Sequence, residues 1–160
     1  MSVSDRISSS DKIFALRAER EIYKIKKVSR QYEVPFVAGY SRDRKTIYID
    51  SKMPTGFKCK NGEFYETDKY LCIHEFVEDS CENNGASYLL AHSLATLAEE
   101  RAVEDDGVDL EEYNDFMAKE VDKIGSRKHY TNLPPDLDTQ PYYQDGESKR
   151  ILKAMGYING

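Results

Sequence analysis

Apolar residues first recur at helical spacing: Ile13, Leu16, Ile22, Ile25 and Val28, with Ser9, Ser10 or Asp11 placed to cap them. This predicts an N-terminal helix running to about Tyr32 and closed by Pro35, with the polar residues 1–10 disordered. The pattern then changes. Phe36-Val37-Ala38-Gly39-Tyr40 and Thr46-Ile47-Tyr48-Ile49-Asp50 are β-branched and aromatic, and are expected to pair across a Ser41–Arg44 turn. Phe57–Lys60 and Glu63–Glu66 flank Asn61-Gly62, a dipeptide suited to a type I′ turn, and predict a short hairpin with that two-residue loop.

Helical periodicity returns after Thr67 or Asp68, either of which can cap a helix from Lys69 to about Cys81. Asn83-Asn84-Gly85 supplies a turn, Ala86 or Ser87 opens a second helix to about Glu104, and Gly107 ends it. Asp109-Leu110-Glu111-Glu112 reads as a capping box for a third helix, with Leu110, Tyr113, Phe116, Val121 and Ile124 as its buried face and Gly125 past its end. Pro134, Pro135 and Pro141 bar regular helix or central strand between Tyr130 and Asp145, which should wrap the surface as an ordered loop. Glu147 to Met155 is expected to form a last short helix. The whole is an α+β chain: an N-terminal helix, a short sheet with hairpins, a central antiparallel helix pair and C-terminal helices.

Composition narrows this picture. At 160 residues the chain suits a single domain spanning residues 1–160. No apolar run is long enough for a bilayer and residues 1–10 carry no signal-peptide core, so a cytoplasmic protein without a membrane partner is expected. The net charge of −6, with basic residues concentrated only around Lys24-Ile25-Lys26-Lys27, argues against nucleic acid as a partner. Cys59, Cys72 and Cys81 are odd in number and form no CxxC pair, which fits reduced thiols.

The chemistry concentrates in the central helix pair. At about 100° per residue, His74 and Glu78 fall one turn apart on one face, the spacing by which a helix offers two ligands to one cation. Glu75 lies about 100° round, within reach of a metal-bound water without being a ligand. On the second helix Tyr88, His92, Thr96 and Glu99 form one stripe on an otherwise apolar surface, where a buried carboxylate must be paired or metal-bound. If the helices run antiparallel about Asn83-Asn84, His92 arrives level with His74 and Glu78. Two imidazoles and one carboxylate with an open fourth position is the composition of a catalytic zinc site. Glu99 is then a partner for an imidazole N–H or a fourth ligand. Cys81, one turn past Glu78, would favour zinc as a ligand but fits a buried structural thiol.

At these residues the chain resembles the zincin-like metallopeptidases, whose defining helix carries His-Glu-x-x-His; here Glu78 stands at the second histidine. It also resembles a group of small bacterial and phage-associated proteins. The likeness runs through Val34-Pro35-Phe36, Tyr48-Ile49-Asp50, His74-Glu75-x-x-Glu78, Tyr88-x-x-Ala91-His92-x-x-Ala95-x-x-x-Glu99 and Leu133-Pro134-Pro135-Asp136-Leu137-Asp138 with Pro141-Tyr142. The resemblance implies a zincin-like domain, a metal-bound water, Glu75 as general base, and Thr46–Asp50 as a strand able to bind an extended peptide. A carboxylate at 78 shifts preference from zinc toward harder ions such as Mn²⁺ or Fe²⁺. His129 and Tyr130, with Tyr142 and Tyr143, are candidate donors to a developing oxyanion. Three readings follow: a metal-dependent peptidase or amidase, a non-catalytic protein of a phage or mobile-element assembly whose ion pins two helices, and a metal-free helical interaction domain.

Overall fold

The computed structural model describes residues 27–127 and 129–141. The expected helix before residue 27, the expected last helix, and Tyr142 and Tyr143 lie outside them. The described residues form a mixed α+β domain. Three short strands, β1 (Lys27–Ser29), β2 (Ala38–Tyr40) and β3 (Thr46–Ile49), make one sheet in the order β1-β3-β2. A hairpin of β4 (Gly56–Lys58) and β5 (Phe64–Glu66) follows. Three helices complete the fold: α1 (Asp68–Asn83), α2 (Tyr88–Asp105) and α3 (Leu110–Gly125).

β3 is the hub. Its period-two alternation sends Ile47 and Ile49 to the helical core and Tyr48 to the opposite face, where Val34, Tyr130, Leu133 and Leu137 enclose it. The Pro-rich segment, as far as it is described (to Pro141), therefore wraps the back of the sheet, burying Tyr130, Leu133 and Leu137 there. β2 pairs antiparallel to β3 with Gly39 opposite Tyr48, as the β-branched pattern predicts.

Two expectations are corrected. The predicted N-terminal helix does not reach Tyr32, because Lys27–Ser29 pairs in parallel with Thr46–Tyr48. Spacing placed Val28 on a helix, but a buried strand with an open edge leaves backbone groups unpaired, and β1 fills that edge. Arg30 then ties β1 to the start of α1 through both Asp68 oxygens, at 2.9 Å each. The hairpin loop holds three residues rather than two. Cys59 N–H bonds to Glu63, Gly62 N–H bonds to Cys59, and Gly62 alone in the loop has positive φ (91°). That is a turn closed by a left-handed glycine, and it shifts the register to Phe57 opposite Tyr65.

The helix boundaries follow from their caps. Gly85 (φ 93°) and Gly107 (φ 77°) each end a helix in a left-handed turn, with Ala86 N–H bonded back to Cys81 and Val108 N–H to Val103. Ser87 caps α2 at Leu90 N–H and Asp109 caps α3 at Glu112 N–H. Only half of the predicted capping box forms, since Glu112 turns away to accept Lys60 N–H at 2.7 Å. Ala91, Ala95, Ala98 and Ala102, all buried, recur along one face of α2, and α2 packs more extensively on α1 than on any other element. Small residues at this spacing let the helices approach closely, and the stripe opposite depends on that approach. Behind the sheet, fully buried Asp50 is satisfied by Val34 N–H, Lys52 N–H and the Arg127 guanidinium (Nη1 to Oδ2, 2.9 Å).

Candidate metal centre

α1 turns Leu71, His74, Glu75 and Glu78 toward one cavity, and α2 turns Tyr88, His92, Thr96 and Glu99 toward it from the other side. Both sets follow the i, i+3/i+4, i+7 rule for one helix face. The short Gly85 turn sets the register, so His92 stands level with His74 and Glu78. His74 Nε2 is 3.3 Å from Glu78 Oε2, and His92 Nδ1 is 3.0 Å from the same oxygen. The two imidazoles meet edge-on with centroids 4.9 Å apart. One ligand atom from each of His74, Glu78 and His92 lies within 4.8 Å of the others, and this group could hold a metal ion.

The donor set fits such an ion. A tetrahedral site with bonds of about 2.0–2.1 Å has ligand–ligand edges of about 3.4 Å, near the two separations observed here. His74 is also oriented from behind: Glu99 Oε1 lies 2.7 Å from its Nδ1, and Tyr113 donates its hydroxyl to Glu99 Oε2 at 2.5 Å. An ionised Glu99 can only accept, so Nδ1 carries the proton and Nε2 is turned to Glu78 and His92. Glu99 thus stands as a partner of His74, with both oxygens engaged. His92 is half exposed, whereas Glu78 is buried, so the group opens on the His92 side.

The electrostatics follow from burial and pairing. Burial works against protonation of His74, but hydrogen bonds to Glu78 and Glu99 and the charges of Glu99 and Glu75 hold its pKa well above the ordinary 6.5. Burial raises Glu78, yet the hydrogen bonds from His74 and His92 outweigh it and bring the carboxyl down to about 2. An ion held by His74, Glu78 and His92 would need imidazole nitrogens free of protons where they face Glu78. Glu75 differs from both. Burial and then the Glu78 charge push it up to about 8, and it has no hydrogen bond or ion pair among the described residues.

The cavity beside the group measures about 450 Å³. Its far wall is the Pro35–Val37 turn, β2, and Met117 and Val121 of α3. Phe36 (φ 55°) and Val37 (φ 71°) both adopt left-handed backbone, a conformation costly for residues with a Cβ, and both line the cavity. Tyr40, also on this wall, donates to Glu82 Oε2 at 2.6 Å.

Other expected site residues are placed elsewhere. His129 is exposed and Tyr130 is buried behind the sheet, with the Arg127 guanidinium 5.2 Å from its ring; neither lines the cavity. β3 is the central strand, hydrogen-bonded on both edges, so it has no open edge for a peptide. Cys81 packs in the core. Tyr88, expected on the stripe, stacks on His92 with centroids 5.7 Å apart, and Tyr113 and Asp138 join the site in roles that no expectation gave them. Tyr88 was legible from the helical stripe; the other two depend on how the chain returns. Among the described residues no helix is long and apolar enough to cross a membrane. No protein-family model, curated protein or solved structure matches the chain.

Proposed function

We propose that this protein is a metal-dependent hydrolase of the peptidase or amidase type, with zinc as the first choice of ion and Mn²⁺ or Fe²⁺ as alternatives. The observation that carries the reading is Glu75: a carboxylate without a hydrogen-bond or ion-pair partner among the described residues, facing the cavity one residue from a His–Glu–His group that could hold the ion. A carboxylate with raised proton affinity, held beside a candidate metal group and given no such partner, is suited to take and return a proton. The strained Phe36–Val37 turn in the cavity wall supports it, since such backbone clusters at working sites.

When bound, the ion supplies Lewis acidity to a carbonyl and to the attacking water. The chain's own residues do the rest. His74, Glu78 and His92 hold the ion, Glu99 and Tyr113 fix the His74 ring, and Glu75 accepts the proton of the water and passes it to the leaving amine. Tyr88, on the open side beside His92, replaces His129 and Tyr130 as the side chain placed to steady an oxyanion.

Glu78 itself favours a second reading, a non-catalytic ion that pins α1 to α2. A carboxylate where an imidazole is expected adds negative charge and weakens the ion as a Lewis acid. Turnover of a peptide library by zinc- or manganese-loaded protein separates the two. The hydrolase reading expects Glu75→Gln to keep the ion and lose at least about a hundredfold in rate. Equal turnover by both proteins, or none by either, overturns it. Substoichiometric metal in protein purified without a tag, unchanged on adding Zn²⁺ or Mn²⁺, overturns both metal readings and leaves the metal-free domain.

A further inference from the structure

Four carboxylates line the cavity, Glu75, Glu78, Glu99 and Asp138, and among its described lining residues there is no lysine or arginine. Glu78 and Glu99 are occupied by the histidines and Tyr113. Asp138 is not so engaged. Its Oδ1 accepts Gln140 N–H at 3.0 Å, and it makes no ion pair among the described residues. Its backbone is pinned to the β2 wall by Asp138 N–H to Tyr40 O at 2.8 Å and by the neighbouring Ser41–Leu137 bridge. Among the described lining residues the four carboxylates outnumber the charge that a divalent ion would bring. An anionic ligand is repelled there and a cationic one is drawn in.

The apolar part of the cavity lies at the other end. Asp138 is close enough to Asp79 and Glu82 to act on their charges, which puts it toward the C-terminal end of α1. Leu71 is near the N-terminal end of that helix, where α3 starts alongside with Tyr113 packed edge-on against Tyr70, and Met117 and Val121 of α3 line the cavity with Val37. At about 1.5 Å per residue, Leu71 and Asp79 are about 12 Å apart along α1, with His74 and Glu78 between them. That is the span of a dipeptide unit: about 3.3–3.6 Å per extended residue plus its side chain.

We infer that the cavity takes short peptides with a free N-terminus, the ammonium group on Asp138 and an apolar side chain of the following residue against Leu71, Met117 and Val121. The inference rests on the hydrolase reading for the place of the scissile bond, between the two ends, but the binding preference can be measured without turnover. It excludes ligands whose only charge is a carboxylate near the apolar end.

The test is calorimetric binding to the full-length, zinc-loaded protein. Glycyl-leucinamide is compared with its N-acetylated form, with glycyl-leucine bearing a free carboxylate, and with glycyl-glycinamide. The expected result is that acetylation weakens binding at least about tenfold, the loss of one charge-assisted hydrogen bond. Asp138→Asn should abolish that preference while leaving zinc affinity unchanged. Met117→Ala should narrow the gap between the leucine and glycine peptides. The acetylation contrast needs only wild-type protein, so it stands even if a variant does not fold. Equal or tighter binding of the acetylated peptide, or no binding of any of the four at millimolar concentration, overturns the inference. Binding with the expected preference but without cleavage overturns the hydrolase reading alone.

Discussion

Glu99 stands directly behind His74, its Oε1 2.7 Å from the imidazole Nδ1, and Tyr113 closes the other side of the carboxylate. The three residues come from three different helices, so the orientation of one candidate ligand depends on the packing of all of them. A histidine fixed this way presents one nitrogen in one tautomer, and losing such a partner costs about 10–100-fold in metal affinity. Glu99→Gln should therefore lower Zn²⁺ affinity by that factor in a chelator competition while His74 stays in place. Unchanged affinity would show that Glu99 does not orient the ring.

Tyr113 should reveal itself in stability instead. It is fully buried and its hydroxyl meets Glu99 and nothing else described, so Tyr113→Phe strands one carboxylate oxygen. The expected cost is about 1–3 kcal/mol in denaturant unfolding, with a smaller loss of metal affinity than Glu99→Gln. A neutral substitution would mean that Glu99 finds water in its place.

Much of this arrangement could be read from the residues, because it is local. The His74/Glu78 and His92/Glu99 spacings, the glycines at 85 and 107 and the aspartate at 109 act within a few residues of themselves, and each helix lies within three residues of its expected ends. What escaped was set by distant pairing. β1 is three residues long and exists because β3 had an open edge, a fact invisible in Lys27-Val28-Ser29 itself. The Tyr113–Glu99 bond needs α3 folded back over α2, and Asp138 enters the cavity only because the Pro-rich segment returns along β2. His129 and Tyr130 stand just before that segment in sequence, and the same return carries Tyr130 behind the sheet, away from the cavity.

The ion pair behind the sheet gives a second measure of stability. Asp50 is completely buried and Arg127 partly so, with Nη1–Oδ2 and Nη2–Oδ1 at 2.9 and 3.3 Å. Removing one partner leaves a buried charge, which costs about 3–5 kcal/mol. Arg127→Ala should lower stability by that amount in denaturant titration without affecting metal affinity. A loss below about 1 kcal/mol would show that backbone N–H groups alone satisfy Asp50.

pH should act on the metal-free protein from both sides. Glu78 is held at about 2, below its ordinary 4.5, so its contribution is full above 4.5 and fades as pH falls toward 2. His74 is raised above its ordinary 6.5, so its contribution is full below 6.5 and fades as pH climbs through the raised value. The pair thus stabilises most between about pH 4.5 and 6.5. In chelator, the Tm difference between wild type and Glu78→Gln should peak in that window and shrink on both sides. A difference that grows steadily with pH would contradict the assignment.

The alanine seam makes the final prediction, because it links packing to the ion. Ala95 is fully buried one turn from His92 on α2, and Ala102 is equally enclosed two turns further along. Enlarging either to leucine overpacks the α1–α2 contact and should cost about 1–3 kcal/mol. The two differ in what the displaced helix carries. At Ala95 the push falls level with the His–Glu–His group, moving His92 away from Glu78, and ligand geometry tolerates only a few tenths of an ångström. Ala95→Leu should therefore lose Zn²⁺ affinity by more than about tenfold, whereas Ala102→Leu should lose stability with the affinity nearly kept. Equal affinity losses from both would mean that the seam acts only through global stability, and that the close approach of the helices is not what brings the three side chains together.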